Sequence, residues 1–313
     1  MILVLTKPLA YFRRAVFGII LYMYSAISHN KRNTVLIMAV FVAIIGVIGV
    51  FVGAATDNYY LAVIVFGCAM LYAWLQYFIA GKLAMAMTGA QEIEKKDAPE
   101  LWRVVENLAI TSGMPMPKVY IIDDPAPNAF ATGRDPKHAI VGATTGLLEI
   151  MDKRELEAVM AHEMSHVRNY DIRVSMIAFG LVSAIGLFAD LALRMMFYSD
   201  DRDRDVNPVI YALGLVVVIL APILATITQL AVSRQREYLA DASGVLLTRD
   251  TEGLASALEK LRQYGKPMRK QSSSTANLFM NNPLKPGFFS KLFSTHPPLE
   301  DRIARLRNNA AKM

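Results

Sequence analysis

Hydrophobic positions gather into four long runs: Thr34–Ala55, Tyr59–Ala80, Val174–Phe197 and Val209–Val232. Each has the ~20 residues a helix needs to cross a bilayer. The first run carries no charge, and the second places Trp74, Gln76 and Tyr77 near one end. Only Thr56, Asp57 and Asn58 separate these two, which predicts a tight hairpin. The polar stretch Tyr198–Pro208 joins the other pair. The third run contains Asp190 and Arg194, four positions apart on one helical face. Such a pair is either mutually satisfied near the lipid interface or part of an ion path. Upstream, Ala15–Ile27 is apolar but too short for an easy crossing, and it is flanked by Arg13, Arg14, His29, Lys31 and Arg32. Ala26-Ile27-Ser28 is a poor signal-peptide cleavage site, so this stretch reads as an interfacial or re-entrant helix.

The hydrophilic parts are Gly89–Arg173 and Ser233–Met313. In the first, Leu101, Val104, Val105, Leu108 and Ala109 fall on one face of a helix predicted over Pro99–Ser112. Val119–Ile122, Asn128–Ala131 and Ala139–Val141 read as short strands, with Gly133–Pro136 as a turn. Thr145–Ile150 starts helical. Asp152 can then cap a second helix, with Glu155 three positions on completing a capping box. Lys266–Pro286 is rich in Ser, Asn and Pro and is expected to be a mobile loop. The resulting expectation is a mainly α, multi-span helical membrane protein with a small β-sheet. Its division is an N-terminal interfacial segment (1–33), a membrane hairpin (34–80), a first hydrophilic part (81–173), a second hairpin (174–232) and a second hydrophilic part (233–313).

Composition sharpens this picture. Of 313 residues, 54% are hydrophobic and 19% charged, with a mean hydropathy of +0.33. Soluble domains run nearer a quarter charged, so an ordinary soluble, fibrous or disordered chain is disfavoured. The net charge of +6 comes from Lys and Arg lying beside the apolar runs. That points to a membrane surface and away from nucleic acid. Arg13, Arg14, Lys31 and Arg32 precede the first run, while Lys82, Lys95 and Lys96 follow the second. Arg168 and Arg173 precede the third, and Arg234 and Arg236 follow the fourth. The connecting tips are acidic or nearly uncharged, which places both termini and both hydrophilic parts on the cytoplasmic side of a multi-pass cell-membrane protein. The lone Cys68 excludes an intramolecular disulfide and a thiolate metal site, and within an apolar run it is expected to pack.

The second predicted helix holds His162-Glu163-Met164-Ser165-His166, an H-E-x-x-H match. On a helix, positions i and i+4 share a face, so both imidazoles can bind one metal ion. Glu163 is displaced around the helix and suits a general base acting on water at the metal. A chance match needs no helical context, whereas this motif follows a credible cap. Hydrolytic zinc sites take a third protein ligand. Glu237 and Asp241, in Glu237-Tyr238-Leu239-Ala240-Asp241, stand four apart just beyond the fourth run. One of these carboxylates can ligate and the other can accept the spare N–H of a ligand histidine. The bland alternative is a solvated acidic face beside Arg234 and Arg236. No Gly or Pro interrupts Ala161–Phe179, so the metal helix is expected to run straight into the third span.

These motifs together resemble the HtpX-type membrane-bound zinc metalloproteases of the gluzincin group. The pieces that carry the resemblance are Pro127-Asn128-Ala129-Phe130-Ala131-Thr132-Gly133, His162–His166, Ser233–Asp241, Asn277-Leu278-Phe279 and Thr295-His296-Pro297-Pro298-Leu299. Together with the arrangement of spans they cover the chain from about Ser28 onward, and the preceding residues stand outside the usual pattern. The resemblance implies a gluzincin-like cytoplasmic protease domain. One zinc ion would be held there by His162, His166 and Glu237, with Glu163 as general base and Asp241 orienting a ligand histidine. It further implies that Asn128, Ala129, Phe130 and Ala131 form an edge strand to which an extended substrate adds. His296 would stabilise the oxyanion, with Arg302 as a helper; by itself, a histidine before Pro-Pro is more often a loop or cap residue. His29 and His138 read as surface or interface histidines.

The activity that this resemblance implies is zinc-dependent endoproteolysis of exposed or misfolded cytoplasmic segments of membrane proteins, in membrane quality control and the stress response. The expected partners are polypeptide substrates and the lipid bilayer. Other classes are a non-catalytic membrane scaffold, a metal transporter with a chance motif, a site-2 type intramembrane protease and a prenyl-protein protease. A transporter needs charged residues along several spans, and Asp190 and Arg194 are the only charged residues in the four runs. A site-2 enzyme buries its motif in an apolar span, whereas Lys153, Arg154, Glu155, Glu157 and Arg168 surround this one. A prenyl-protein protease needs a larger multi-span chamber.

Overall fold

The structure is a computed structural model that describes residues 25–43, 46, 50, 59–181, 234–272, 274–284 and 297–310. His296, Asp190, Arg194, the polar link 198–208 and the run 209–232 lie outside the described residues. So do most of 174–197, parts of 34–55 and most of the N-terminal segment.

Residues 25–43 are helical (α1), with no break at the expected boundary between positions 33 and 34. Helix α2 spans Tyr59–Thr88. Helix α3, Pro99–Ser112, begins with the proline that no helical N–H bond needs, and it ends on Gly113 at φ 67. Helix α4 covers Thr145–Ile150 and α5 covers Lys153–Arg168. Residues 171–181 are helical again (α6). Helices α7 (Arg234–Thr248), α8 (Thr251–Tyr264) and α9 (Leu299–Ala310) follow. The four strands are β1 (Gln91–Glu92), β2 (Lys118–Ile122), β3 (Ala129–Gly133) and β4 (Ala139–Thr144).

The sheet order is β1-β2-β4-β3, with β2 and β4 parallel and the other pairs antiparallel. Both faces of the sheet are covered, and the period of two sorts the side chains between them. Ala129, Ala131, Ala139, Val141 and Ala143 face a core built from α3, α5, α8 and α9. Phe130 and Ile140 face a second core with Ile37 and Phe41 of α1, Ala80 and Ala84 of α2, and Val174–Phe179 of α6. Gly142 is required where it stands, because a Cβ would lie 2.5 Å from the Phe130 ring and from the Tyr120 carbonyl oxygen.

The metal helix does not run straight on. It stops at Arg168, and Tyr170 takes a left-handed φ of 62 before α6 begins. Neither Gly nor Pro marks this break, which is why the sequence pattern missed it. The turn is held by polar contacts described below.

Among the residues whose side chains are described, no helix is long and apolar enough to cross a membrane. Helix α2 has 30 residues, but the side chains at five of its apolar positions lie outside that description. The C-terminal part of α2 packs into the second core through Ala80, Ala84 and Met85, while its N-terminal part exposes apolar side chains, with Tyr60 at 83%, Val63 at 70% and Trp74 at 60%. Cys68, expected to pack, is exposed on the same helix, because no described residue covers that surface.

Candidate metal centre

Helix α5 is fixed at its start by the capping box: Asp152 Oδ1 accepts from the Glu155 amide at 2.8 Å, and Glu155 Oε2 accepts from the Asp152 amide at 2.9 Å. Glu155 also accepts from Ser256 and from Lys260 Nζ, both at 2.6 Å, which ties the helix start to α8. One turn after another, this helix then delivers His162 and His166 to the same face.

Opposite them stands α7, with Glu237, Asp241 and Gly244 at i, i+4 and i+7. Gly244 permits the close approach, since a Cβ there would sit 3.1 Å from the His162 amide nitrogen. His162, His166 and Glu237 converge, each offering one ligand atom within 4.8 Å of the others. The His162 and His166 Nε2 atoms are 3.1 Å apart. Glu237 Oε1 lies 3.5 Å from His166 Nε2, and Oε2 lies 3.6 Å from His162 Nε2. Ligands at ~2.0–2.1 Å from a tetrahedral ion stand ~3.3 Å apart, so this donor triangle fits one such ion.

The tautomers agree with that use. His162 Nδ1 lies 3.0 Å from Asp241 Oδ1, and His166 Nδ1 lies 2.9 Å from Asp171 Oδ2. A carboxylate on each Nδ1–H leaves both Nε2 lone pairs aimed at the shared point. Asp241 was legible from its spacing to Glu237. Asp171 was not. It lies five residues past His166, beyond the unforeseen turn, and the only prior signal is that His166 also needs an Nδ1 acceptor.

Burial alone would drive the histidine pKa values down, and for His162 the Arg302 charge acts the same way. Hydrogen bonds to Asp241 and Glu237, with the Asp241 charge, outweigh both and push His162 up to about 9. His166 is also raised: burial opposes the shift, and the Asp171 hydrogen bond and the Glu237 charge carry it.

Glu163 is buried and lines the same cleft as His162, His166 and Glu237, together with Ala131 and Phe279. Arg302 is wholly buried. Its Nε and Nη2 donate to Asp241 at 3.0 and 2.6 Å, and Nη1 lies 3.4 Å from Glu237 Oε2. The expected oyxanion helper is thus engaged with two site carboxylates. Its partner in that expectation, His296, lies outside the described residues. His29 and His138 are exposed.

The edge strand β3 holds a further difference. Asn128, Ala129 and Phe130 are already taken by the chain itself. Met280 N–H donates to the Ala129 carbonyl at 2.9 Å, and Phe130 and Phe279 form an antiparallel bridge with their rings 5.8 Å apart. Asn128 clamps the end of this segment, its Nδ2 donating to Asn281 O at 2.7 Å and its Oδ1 accepting from Asn281 N at 3.0 Å. Within the stretch expected to be a mobile loop, Phe279, Met280 and Asn281 form a strap lying on the sheet edge. Of the four expected substrate-binding residues, Ala131 lines the cleft.

Residues 95–310 match the model of "Peptidase family M48". The chain belongs to that family. It is 56% identical over 286 residues to a protease HtpX homolog of Tropheryma whipplei (strain TW08/27), covering 91% of this chain and 98% of that one. It is 45% identical over 297 residues to a protease HtpX homolog of Ligilactobacillus salivarius (strain UCC118), covering 91% and 99%. This M48 peptidase is therefore a metalloprotease of the HtpX type. Among solved structures, the crystal structure of S. mikatae Ste24p matches with a TM-score of 0.49 and 22% identity, over 90% of this chain and 66% of that one.

Proposed function

We propose that this M48 peptidase is a zinc-dependent endopeptidase of the cell membrane that cuts cytoplasmic segments of misfolded membrane proteins. The observation that carries the reading is the triangle of His162, His166 and Glu237, with both imidazoles held by carboxylates and Glu163 beside them in one cleft. When bound, zinc supplies Lewis-acid polarisation of the scissile carbonyl and acidifies water in the cleft. Two neutral imidazoles and a carboxylate suit that ion.

The chain's own residues do the rest. Glu163 takes a proton as water attacks the carbonyl carbon, and then delivers it to the leaving amine nitrogen. Asp171 and Asp241 hold the histidine tautomers, and Arg302 holds Asp241 and Glu237 against burial. The substrate lies extended along β3. To pair with Ala129 it must take the place of Met280, whose N–H now occupies that carbonyl. The membrane setting is supported by the exposed apolar surface of α2 and by the Lys and Arg flanking each apolar run.

The test is casein cleavage by detergent-purified protein, wild type beside Glu163→Gln, with metal content measured in both. Zinc in both and cleavage in the wild type alone is the expected result. Equal residual cleavage would assign the activity to a contaminant. A folded, metal-free wild type would overturn the site and leave a scaffold.

A further inference from the structure

Helix α1 belongs to the N-terminal part of the chain, where no chemistry was expected. Yet Asn30 on this helix is 1% exposed and reaches the turn between α5 and α6. An amide nitrogen carries two N–H groups, and both are spent there. One donates to the Asn169 carbonyl at 2.9 Å, the other to Asp171 Oδ1 at 2.7 Å. The second carboxylate oxygen of Asp171 is the one that meets His166 Nδ1 at 2.9 Å. Arg236 Nη1 approaches the same Oδ1 at 3.7 Å. From outside, Lys31 of α1 and Arg173 of α6 each stack on the Tyr170 ring at 4.9 Å, over the residue with the left-handed backbone.

We propose that Asn30 is a positioning residue for the metal ligand His166, acting through Asp171, so that α1 is a working part of the metal centre. The inference rests on His162, His166 and Glu237 being that centre. The physical case is one of donor and acceptor counting. A buried carboxylate with one oxygen on an imidazole can swing unless its other oxygen is also held, and Asn30 holds it. The same side chain fixes the Asn169 carbonyl, one of the acceptors left open where α5 ends. Aspartate at position 30 would face both acceptors with lone pairs and place a like charge against Asp171. Asn30 itself touches no reacting atom.

The experiment uses the full chain in detergent, carrying Glu163→Gln to prevent self-digestion. Zinc affinity is read by competition with a chromogenic chelator, and thermal unfolding of the metal-free protein is read separately. Asn30→Asp and Asp171→Ala should each weaken zinc binding about 10–100-fold, the range for residues that hold a metal ligand in place. In an Asp171→Ala background, Asn30→Asp should add less than about twofold, because its route to the metal is already cut. Should Asn30→Asp fail to fold, Asn30→Ala replaces it, with an expected loss of at least about threefold and the same lack of addition. Losses that multiply in the double variant would overturn the proposal, as would lowered metal-free stability with unchanged zinc affinity. A parent protein that binds no zinc at all would overturn the metal centre itself, and the inference with it.

Discussion

At His162, burial and the Arg302 charge oppose protonation, while Asp241 and Glu237 favour it and win, holding the metal-free ring near 9. His166 is raised as well. A raised pKa means the empty site binds a proton at neutral pH that a metal must expel. Zinc affinity should therefore rise with pH, by ~10-fold per unit for each proton displaced, with the His162 contribution levelling off above about 9. Chelator competition at several pH values between 6.5 and 9.5 reads this slope, and a flat profile would show that neither ring is protonated in the free site. Arg302 sets a second expectation. Its guanidinium is the cation between Asp241 and Glu237, and the three side chains are almost fully buried. Arg302→Met should cost about 3 kcal/mol of metal-free stability, the low end for a broken buried pair, because the two carboxylates lose the guanidinium and keep only the protonated histidines beside them. Arg302→Lys should rescue little of it, since an ammonium lacks the fork that meets Asp241 twice. Chemical denaturation checks both, and a cost below about 1 kcal/mol for the Met variant would mean the carboxylates find another partner.

Among the elements, those with a local signal were legible. The apolar stripe of α3, the capping box of α5 and the Glu237–Asp241 spacing on α7 are each written within a few turns of chain. What was missed depends on contacts between distant segments. The break after Arg168 has no Gly or Pro to announce it, and is made by Asn169, Tyr170 and a side chain from α1. The strap was missed because Ser, Asn and Pro describe a loop equally well whether it floats or lies against a sheet. Its hold is specific: Asn128 makes two hydrogen bonds to the Asn281 backbone. Asn128→Ala should free that end, so that the Met280 and Asn281 amides exchange faster with deuterium while those of β4 keep their protection. Unchanged exchange at both amides would show that the Phe130–Phe279 contact and the Met280–Ala129 hydrogen bond seat the strap without Asn128.

On the scale of the whole molecule, the sheet lies between two helical layers with different outer surroundings. The α3, α5, α8 and α9 layer shares one core with the sheet. The α1, α2 and α6 layer turns an apolar surface outward, with Val63, Ile64, Leu71 and Trp74 all more than half exposed. No described residue covers this stretch, whereas a soluble monomer rarely exposes one so long, and a helix apolar on all sides belongs in protein or lipid. If lipid covers it, the two tryptophans should report different surroundings. Trp74 sits on α2, and Trp102 is half-buried on α3 against the core shared by α3, α5, α8 and α9. In vesicles made with bromine-labelled lipid chains, a Trp102→Phe protein should lose most of its tryptophan emission, and a Trp74→Phe protein should keep it. Equal quenching of the two would place the α3 layer in the membrane as well. Emission from Trp74 that survives would mean that protein, either the rest of this chain or a second copy, covers α2 in place of lipid.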